Sequence, residues 1–468
     1  MLQYFINFAR EIIADNFAGG GGASIGIEQA LKRPVDYAIN HSKIAMKIHK
    51  LNHHLTKHFI ENVFQVDIRS ICKGLLVGLV WLSPDCKHFS KALGKVPLDR
   101  AIRALAWVAR RWAKLAKPRL FILENVPEFA TWGPLIPKLS KNGEPVLKDD
   151  KVVMVPDPKR KGLTFWAFNE WFHRNGYITD WRVLKACDYG APTIRQRLFW
   201  VARRDNQPIV WPKPTHGPKD SLLVKAKKLK PYRTADECID FDIPCPSIFM
   251  TKNEAKKFND TNGTRIKRPL VENTHMKIAK GIDKYILKNK KPFIAPTGSK
   301  NECAFISRQF GQSIGHKVDE PMGTITAGGM GKTYLVTAFL EKYDIKQPHL
   351  SDSALAGAEQ VAAFLIKYYG TGIGQTLNEP LHTIPTRDRF ALITVKIKGE
   401  HRVITDIGYR LLQPEELKLA QGFPADYDLG DISKSAKVRL IGNSVPPQLA
   451  KAMVEANYDT FNMYQQSA

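Results

Sequence analysis

The segment EIIADNFAGGGGASIGIEQALKR, residues 11–33, decides the fold class of this chain of 468 residues. Its first part, EIIADNF, is a short apolar run that predicts a β-strand, and SIGIEQALKR has the apolar spacing of an amphipathic helix. The glycines between them would let backbone N–H groups approach a ligand at the start of the helix. A glycine turn with only a packing role is the alternative reading of the same residues.

The alternation of strands and helices continues to about residue 205. VDYAIN and GLLVGLVWLS predict strands, SKIAMKIHKLN and AIRALAWVARRWAKLA predict helices, and PRLFILENV predicts a strand buried on both faces. This pattern is typical of an α/β fold with an open, largely parallel sheet. Because ligands bind beyond the carboxyl ends of such strands, Asp15, Cys86 and Glu124 are predicted to share one rim.

The composition of the sequence changes after RLFWVARR, where several prolines precede a basic stretch. We therefore expect a first domain over residues 1–210, a second over 211–405 and a C-terminal segment over 406–468. An internal echo lies in the second domain, since FGQSIGHKVDEPMGTIT (310–326) aligns with YGTGIGQTLNEPLHTIP (369–385) at an offset of 59 residues. The echo predicts duplicated strand-turn units, which serve either as scaffold or as a paired DNA-contacting surface.

The charge of the chain points to a polyanionic partner. The formal net charge is +25, and residues 213–300 carry 20 Lys and Arg against 9 Asp and Glu, an excess of 11. Such a surface binds phosphate backbones through counterion release, although a solvated lysine-rich surface is the alternative. The start of the chain lacks the pattern of a signal peptide, and no run approaches the ~18–20 apolar residues of a membrane span. A cytoplasmic protein is expected.

One cysteine stands in a setting that suits chemistry. Six cysteines are too few for a disulfide framework, and no C-x-x-C pair indicates a metal site. Cys86 lies in SPDCKHFS, directly after a predicted buried strand, where Lys87 and His88 would favour the thiolate. An isolated loop cysteine is more often inert. Polar residues from two further segments strengthen the reactive interpretation: Glu124 and Asn125 in LENVPEF, and Arg195 and Arg197 in PTIRQRLF.

These segments together resemble the cytosine-5 DNA methyltransferase family. DNFAGGGG resembles its cofactor loop, PDCKHFS its nucleophile loop, ENV its acid motif and TIRQR its arginine pair, while RLLQPEELKLAQGFP and IGNSVPPQLA resemble its C-terminal segments. The resemblance implies an α/β, Rossmann-like S-adenosylmethionine-dependent methyltransferase domain with a second, mixed target-recognition domain. It also implies that the C-terminal segment returns to the catalytic domain.

The resemblance implies a role for each matching residue. The reaction would transfer a methyl group from S-adenosylmethionine to carbon 5 of a cytosine flipped out of double-stranded DNA, through a covalent adduct of Cys86 at carbon 6. Glu124 would hydrogen-bond the cytosine ring, Asn125 would fix the loop geometry, and Arg195 and Arg197 would hold the flipped base. The residues implied to bind the cofactor are Asp15, Phe17, Gly19, Gly21, Gly22, Asn40, Asp67, Pro84 and Asn443. No metal is expected.

Several positions depart from the family pattern. Asp85 and Lys87 flank the cysteine where the family has Pro and Gln, and Asn40 replaces the acidic residue that binds the cofactor ribose. Thr193 stands where the arginine motif usually begins with Gln. These departures leave two alternatives to a DNA methyltransferase: a catalytically silent DNA-binding protein of the same fold, and an enzyme that methylates cytosine in RNA.

The expected partner is double-stranded DNA, bound by a monomer without contact to a membrane. The length of the predicted recognition domain favours DNA over RNA, because reading several base pairs requires a large positioned surface. Whether a cognate restriction endonuclease accompanies the enzyme is left open by the sequence.

Overall fold

The computed structural model describes residues 11–85, 104–148, 150–296, 302–309, 311–343, 349–369, 384–385, 391–397 and 399–458. The chain divides into two compact units: Met1–Tyr232 with Gln421–Ala468, and Arg233–Ala420. The expected boundaries at residues 210 and 405 stay a prediction. Cys86 lies outside the described residues, as does almost all of the second copy of the internal echo, 369–385.

The first unit is built on a sheet of seven strands: β1 (Ile12–Asn16), β2 (Tyr37–Ile39), β3 (Lys57–Phe59), β4 (Val77–Leu82), β5 (Leu120–Asn125), β10 (Ile178–Lys185) and β11 (Gln196–Arg203). Their order across the sheet is β10-β11-β5-β4-β1-β2-β3. The five strands from β5 to β3 are parallel, whereas β11 is antiparallel to β5 and β10 is antiparallel to β11.

Helices cover both faces of this sheet. They are α1 (Gly22–Leu31), α2 (Lys43–Asn52), α3 (Ile68–Cys72), α4 (Val108–Leu115), α5 (Leu163–His173), α11 (Lys434–Asn443) and α12 (Pro447–Asn457). Every residue of β4 and β5 is buried, which is why their sequences read as continuous apolar runs rather than as alternating ones. One core contains Trp112 and Phe168 on one face, and a second contains Ile27 and Leu449 on the other. The predicted α/β fold is confirmed.

The C-terminal helix α12 packs closely on α1, and glycines make this approach possible. A Cβ atom at Gly22 would lie 2.3 Å from the carbonyl oxygen of Val445, and one at Gly26 would lie 2.3 Å from that of Pro447. Such distances leave no room for any side chain at these two positions. These two glycines of the glycine-rich segment therefore serve the packing of the C-terminal residues on α1.

Residues 133–160 of the first unit form a mostly exposed insertion of short strand pairs, which we call the projection. Its stem pairs β6 (Leu135–Pro137) with β9 (Met154–Pro156), and one of its two arms pairs β7 (Leu147–Lys148) with β8 (Lys151–Val152). The other arm closes at the bridge between Leu139 and Pro145. This projection follows a short 3₁₀ helix, Pro127–Thr131, directly after β5.

The second unit is a mixed α and β structure. Its main sheet has five antiparallel strands: β14 (Glu302–Arg308), β15 (Gly315–Lys317), β16 (Thr333–Lys342), β19 (Thr394–Ile397) and β20 (Glu400–Leu411). Their order across the sheet is β15-β14-β16-β20-β19. A separate short pair in this unit joins β17 (Ile384–Pro385) to β18 (Ala391–Leu392), and a short pair in the first unit joins β12 (His216–Gly217) to β13 (Lys230–Pro231).

The helices of the second unit are α7 (Lys252–Asn262), α8 (Glu272–Ile282), α9 (Asp352–Tyr369) and α10 (Pro414–Ala420); the short α6 (Leu222–Lys225) belongs to the first unit. Helices α8 and α9 pack on the sheet around Ile278, Phe305 and Leu365. Most residues of helix α7 are hydrophilic, and Ala255 is its single buried residue. No helix in the described part of the chain has the length and hydropathy of a membrane span.

Candidate active site

The end of β5 carries a buried ion pair. Arg197 Nε lies 2.8 Å from Glu124 Oε1, and the two side chains are only 9% and 8% exposed. The antiparallel pairing of β5 with β11 brings them together, since Glu124 stands opposite Phe199 and Arg197 lies two residues earlier on β11. Two of the predicted site residues therefore meet directly, and the guanidinium fixes the orientation of the carboxylate.

Asn125 joins this strand end to the loop that leads to Cys86. Its Nδ2 donates a hydrogen bond to the carbonyl oxygen of Pro84 (3.2 Å), and its Oδ1 accepts one from the N–H of Val126 (2.9 Å). Pro84 is buried and follows β4, the neighbour of β5 in the sheet. The first residues of the predicted nucleophile loop are thus fastened to the strand that carries Glu124.

Arg195 contacts a different partner from Arg197. The side chain is 2% exposed, and its Nη2 donates to the carbonyl oxygen of Gly442 at the end of α11 (3.0 Å). Strand β11 begins at Gln196, so Arg195 precedes the strand. In this structure Arg197 orients Glu124, whereas Arg195 joins the residues before β11 to the end of α11 within the first unit.

The five cysteines of the described residues are poor nucleophiles. Burial raises the pKa of each thiol, to about 11 at Cys72 and Cys245, to about 12 at Cys238 and Cys303, and above its usual value at Cys187. A raised thiol pKa lowers the thiolate fraction at neutral pH. None of these five cysteines therefore competes with Cys86 as the candidate nucleophile.

The glycine turn between β1 and α1 has an unusual backbone. Phe17, Gly19 and Gly21 have φ values of 61°, 56° and 88°, in the left-handed region. A Cβ atom at Gly21 would lie 2.2 Å from the hydroxyl oxygen of Tyr427, which itself donates to the carbonyl oxygen of Gly20 (2.5 Å). Glycine at position 21 is thus required by both conformation and space. Gly21 caps α1 without a side-chain hydrogen bond to the first turn.

Asp15, near the end of β1, carries a fully buried carboxyl group. Its Oδ2 accepts a hydrogen bond from Ser24 Oγ (2.7 Å), and its Oδ1 is buried without a hydrogen-bond partner. Burial raises the pKa of Asp15 from 3.8 to about 7, an effect opposed by the Ser24 hydrogen bond and reinforced by the charge of Glu28. This carboxyl group can change its protonation near neutral pH.

Three residues that the sequence did not single out continue from Asp15. Ser24 Oγ lies 3.0 Å from His49 Nε2, and His49 Nδ1 lies 2.9 Å from His58 Nε2. His53 stacks beside His49, with ring centroids 4.2 Å apart. The signal in the sequence was the spacing of His49 and His53 at positions i and i+4, because that spacing places two side chains on one helix face.

The remaining predicted cofactor residues have local structural roles. Asn40 Oδ1 accepts from the N–H of Ser42 (2.9 Å), and Asp67 Oδ1 accepts from the N–H of Ser70 (3.2 Å) as the cap of α3. Asp67 is exposed, as is Asn443, the last residue of α11. Both side chains are therefore accessible to a ligand.

The sequence profile of the C-5 cytosine-specific DNA methylase family matches residues 12–132 and 157–458. The match covers most of the chain and every predicted site residue, and it leaves out the greater part of the projection at 133–160. The chain belongs to this family. It is a DNA cytosine-5-methyltransferase that depends on S-adenosylmethionine and acts on DNA.

Individual relatives agree with this assignment. The type II methyltransferase M.AquIA of Picosynechococcus sp. is 26% identical over 238 residues, which cover 48% of this chain and 85% of that protein. M.OihORF3336P of Oceanobacillus iheyensis is 24% identical over 495 residues, covering 95% and 94% of the two chains. The match to M1.HphI of Haemophilus parahaemolyticus covers 51% of that protein.

A solved structure supports the fold. The crystal structure of a DNMT2 mutant from Spodoptera frugiperda has a TM-score of 0.51 and 14% sequence identity, and the comparison covers 96% of this chain and 100% of that one. The predicted combination of a Rossmann-like methyltransferase domain with a second, mixed domain is confirmed.

Proposed function

We propose that the rim formed by the ends of β1, β4 and β5 is the catalytic centre, and that Cys86 is its nucleophile. The proposed product is cytosine methylated at carbon 5 in double-stranded DNA, with the target base flipped out of the helix. The reaction is carried out by a monomer, since one chain supplies every side chain named at the rim. The type II relatives suggest a restriction endonuclease of the same sequence specificity as a partner.

The observation that carries this proposal is the hydrogen bond from Asn125 to the carbonyl oxygen of Pro84. Pro84 precedes Cys86 by two residues, and Asn125 follows Glu124 directly. Two residues of extended chain span at most about 7 Å. The nucleophile loop therefore starts beside the acid, as a reaction at one pyrimidine ring requires.

Each protein group has a definite task in the proposed reaction. Cys86 attacks carbon 6 of the cytosine as a thiolate, which makes carbon 5 nucleophilic. Arg197 engages Glu124 through Oε1, so that Oε2 is the oxygen that would reach the exocyclic amine or the ring nitrogen of the base. Carbon 5 then accepts the methyl group, and loss of its proton allows the bond between carbon 6 and the Cys86 sulfur to break.

The glycine turn provides features that fit S-adenosylmethionine. The first turn of α1 has no side-chain cap, so its N–H groups are suited to the carboxylate of an amino acid. Gly19 has open space where a Cβ would stand, apart from the Phe17 carbonyl oxygen at 3.7 Å. When bound, S-adenosylmethionine supplies a methyl group attached to a positively charged sulfur. Asp15, Phe17, Gly19, Gly21 and Gly22 form the proposed floor of the pocket.

Peripheral residues complete the proposed pocket. Because Asn40 Oδ1 is already engaged by Ser42, its Nδ2–H groups would donate to a ribose hydroxyl. Asp67 would contact the adenine amine, Pro84 would line the pocket from the nucleophile loop, and Asn443 would close it from the C-terminal side. The basic region from Lys213 onward, within the proposed recognition domain 211–405, would choose the DNA site.

Bisulfite sequencing of DNA and RNA from cells that express the protein tests the proposal. Wild-type protein should protect cytosines within one DNA sequence motif from conversion, and Cys86→Ala should abolish this protection. Cys72→Ala is the matched control, because it removes a buried thiol of the same unit whose pKa is raised to about 11.

Three results would contradict the proposal. Protection of cytosines in RNA alone would identify an RNA methyltransferase. Complete conversion of DNA in cells that contain folded wild-type protein would identify a silent DNA-binding protein. Full protection by the Cys86→Ala variant would move the nucleophile to another residue.

A further inference from the structure

The buried residues behind the glycine turn form one continuous hydrogen-bonded chain. It runs from Asp15 through Ser24 and His49 to His58, with successive distances of 2.7, 3.0 and 2.9 Å. Asp15, Ser24 and His49 are fully buried, whereas His58 is only partly buried and lies on β3 at the edge of the sheet. Four separate elements, β1, α1, α2 and β3, each contribute one member.

The direction of the hydrogen bonds follows from the acceptor at the buried end. An ionised Asp15 accepts only, so the hydroxyl proton of Ser24 must point to it. Ser24 Oγ can then accept only from His49 Nε2–H, which leaves Nδ1 of the neutral ring to accept from His58 Nε2–H. The pKa of His49 is held well below its usual value by burial and by the charges of His53 and His58, in agreement with a neutral ring.

We propose that Ser24, His49 and His58 stabilise the ionised form of Asp15 beneath the glycine turn, and that this charge makes the enzyme bind its cationic methyl donor more tightly than the uncharged product. The inference rests on the proposed function, in which the glycine turn holds the cofactor. Ser24, His49 and His58 are positioning residues, because each acts through Asp15.

The chemistry of the two ligands explains why such a charge is useful. S-adenosylmethionine carries a positive sulfonium, whereas the product S-adenosylhomocysteine carries a neutral sulfide. A carboxylate in a water-free pocket favours the cation and gives the neutral product no such advantage. Ionisation of Asp15 therefore strengthens binding of the donor and leaves binding of the product almost unchanged.

Other charged groups around Asp15 influence the same equilibrium. The negative charge of Glu28, on α1, raises the pKa of Asp15. Glu28 Oε2 also lies 2.9 Å from His53 Nδ1, which donates a hydrogen bond to it when that nitrogen is protonated. Tyr427 faces the turn from the C-terminal segment, and its pKa is raised by burial and by Glu28 and Asp15. The pKa of His58 is lowered by burial and by the charges of His53 and Lys50.

The strands that flank β1 place apolar residues beside Asp15. Trp81 of β4 and Ala38 of β2 are its partners in register. The histidines are not arranged as metal ligands, since no group of three suitable side chains in the described part of the chain could hold a metal ion. The hydrogen-bonded series from Asp15 to His58 is thus best explained as support for the carboxyl group of Asp15.

The test compares the affinities of purified full-length protein for S-adenosylmethionine and S-adenosylhomocysteine by calorimetry between pH 6 and pH 8.5. Wild-type affinity for the donor should rise about tenfold from pH 6 to pH 8, because only the ionised fraction of Asp15 is competent. Affinity for the product should change by less than about twofold from this cause. The infrared band of a protonated carboxyl group should disappear over the same range in the free protein.

Variants with opposite expected shifts sharpen the test. Ser24→Ala removes a hydrogen bond to the carboxylate and should move the midpoint of donor binding up by about one pH unit, while Ser24→Thr should restore it. His49→Leu should shift it in the same direction by a smaller amount. Glu28→Gln removes a neighbouring negative charge and should shift the midpoint down. His54 is exposed and lies outside this hydrogen-bonded series, so His54→Gln should leave the midpoint unchanged.

The outcomes separate this inference from the proposed function. Donor binding with the same midpoint in wild type, Ser24→Ala and Glu28→Gln would overturn the inference and leave the proposed function standing. Parallel pH dependence for donor and product in the wild type would also overturn it. If the folded wild-type protein binds the donor at no pH, both the proposed cofactor site and the inference fail.

Discussion

Two buried carboxyl groups stand at the ends of strands in the same sheet, and the protein holds them in different ways. Glu124 on β5 is paired with the guanidinium of Arg197 at 2.8 Å. Asp15 on β1 has the hydroxyl group of Ser24 at 2.7 Å and a second oxygen without a hydrogen bond. Strand β4, which leads to the nucleophile loop, lies between β1 and β5.

The comparison shows how one sheet can provide two kinds of negative charge. A guanidinium stays charged at every pH that a protein tolerates, so Glu124 has a permanent counter-charge. Asp15 has only neutral donors, and burial raises its pKa to about 7. We infer that the charge on the proposed base-binding side of the rim is fixed, whereas the charge on the proposed cofactor side responds to pH.

The largest effect is expected from Arg197→Ala. The change leaves Glu124 buried without its counter-charge, which should lower the free energy of unfolding by about 3–5 kcal/mol and abolish methylation. Urea denaturation followed by tryptophan fluorescence measures the first quantity, and methyl transfer to DNA measures the second.

Arg203→Ala is the control for this change. Arg203 lies on the same strand and makes a buried ion pair with Asp205 (2.7 Å) at the opposite end of β11, where Asp205 also pairs with Arg119 (3.1 Å). Arg203→Ala should lose stability, though less than Arg197→Ala because Asp205 keeps Arg119, while each folded molecule keeps its activity. Equal loss of activity in both variants would show that Arg197 has only a structural role.

Asp15→Asn should have the opposite effect on stability. Because the pKa of Asp15 is raised from 3.8 to about 7 in the folded state, the unfolded state binds fewer protons between about pH 4 and pH 7, and wild-type stability falls as the pH rises through this range. Removing the ionisable group should therefore raise the free energy of unfolding, by up to ~4 kcal/mol at pH 8 and by about half as much at pH 5.

Denaturation of the cofactor-free protein at the two pH values checks this prediction. Ser24→Ala, which keeps the carboxyl group and removes its donor, should have a steeper loss of stability with pH than the wild type. A loss of stability in Asp15→Asn that is equal at both pH values would mean that Asp15 is held ionised throughout.

The smallest effect on stability is expected from Asn125→Ala. Loss of the hydrogen bond to Pro84 should cost about 1–2 kcal/mol but slow methyl transfer by about 10²-fold, because the nucleophile loop is no longer fastened beside Glu124. Asn142→Ala, at an exposed position of the projection, should change neither quantity. An unchanged rate in Asn125→Ala would show that the loop is positioned by other contacts.

Much of the first unit could be predicted from sequence because its strands are buried on both faces. VGLVWL and LFILEN are apolar throughout, and each is followed by polar residues where the strand ends. The same reasoning placed Glu124 and Asn125 correctly at the rim, since strand direction and burial are local properties of the sequence. The predicted helix over residues 101–116 is a 3₁₀ turn, Leu105–Trp107, followed by α4 in its described part.

Contacts between distant segments could not be predicted in the same way. Arg195 and the Gly442 carbonyl oxygen that it contacts are 247 residues apart, and nothing in the local sequence links them. His49 and His58 become neighbours of Asp15 only when α2 and β3 pack beside β1. Asp67 was assigned to adenine from its resemblance alone, whereas its N-cap role follows from the adjacent helix and was available from sequence.

The most direct test of the catalytic rim is a covalent trap. Duplex DNA that contains 5-fluorocytosine in the methylated motif is incubated with the protein and S-adenosylmethionine, and the digested product is analysed by mass spectrometry. The account predicts one cross-linked peptide, modified at Cys86, whose yield falls strongly in Arg197→Ala and is retained in Cys72→Ala. A cross-link at any other cysteine, or methylation of normal DNA without a cross-link in the fluorinated duplex, would contradict it.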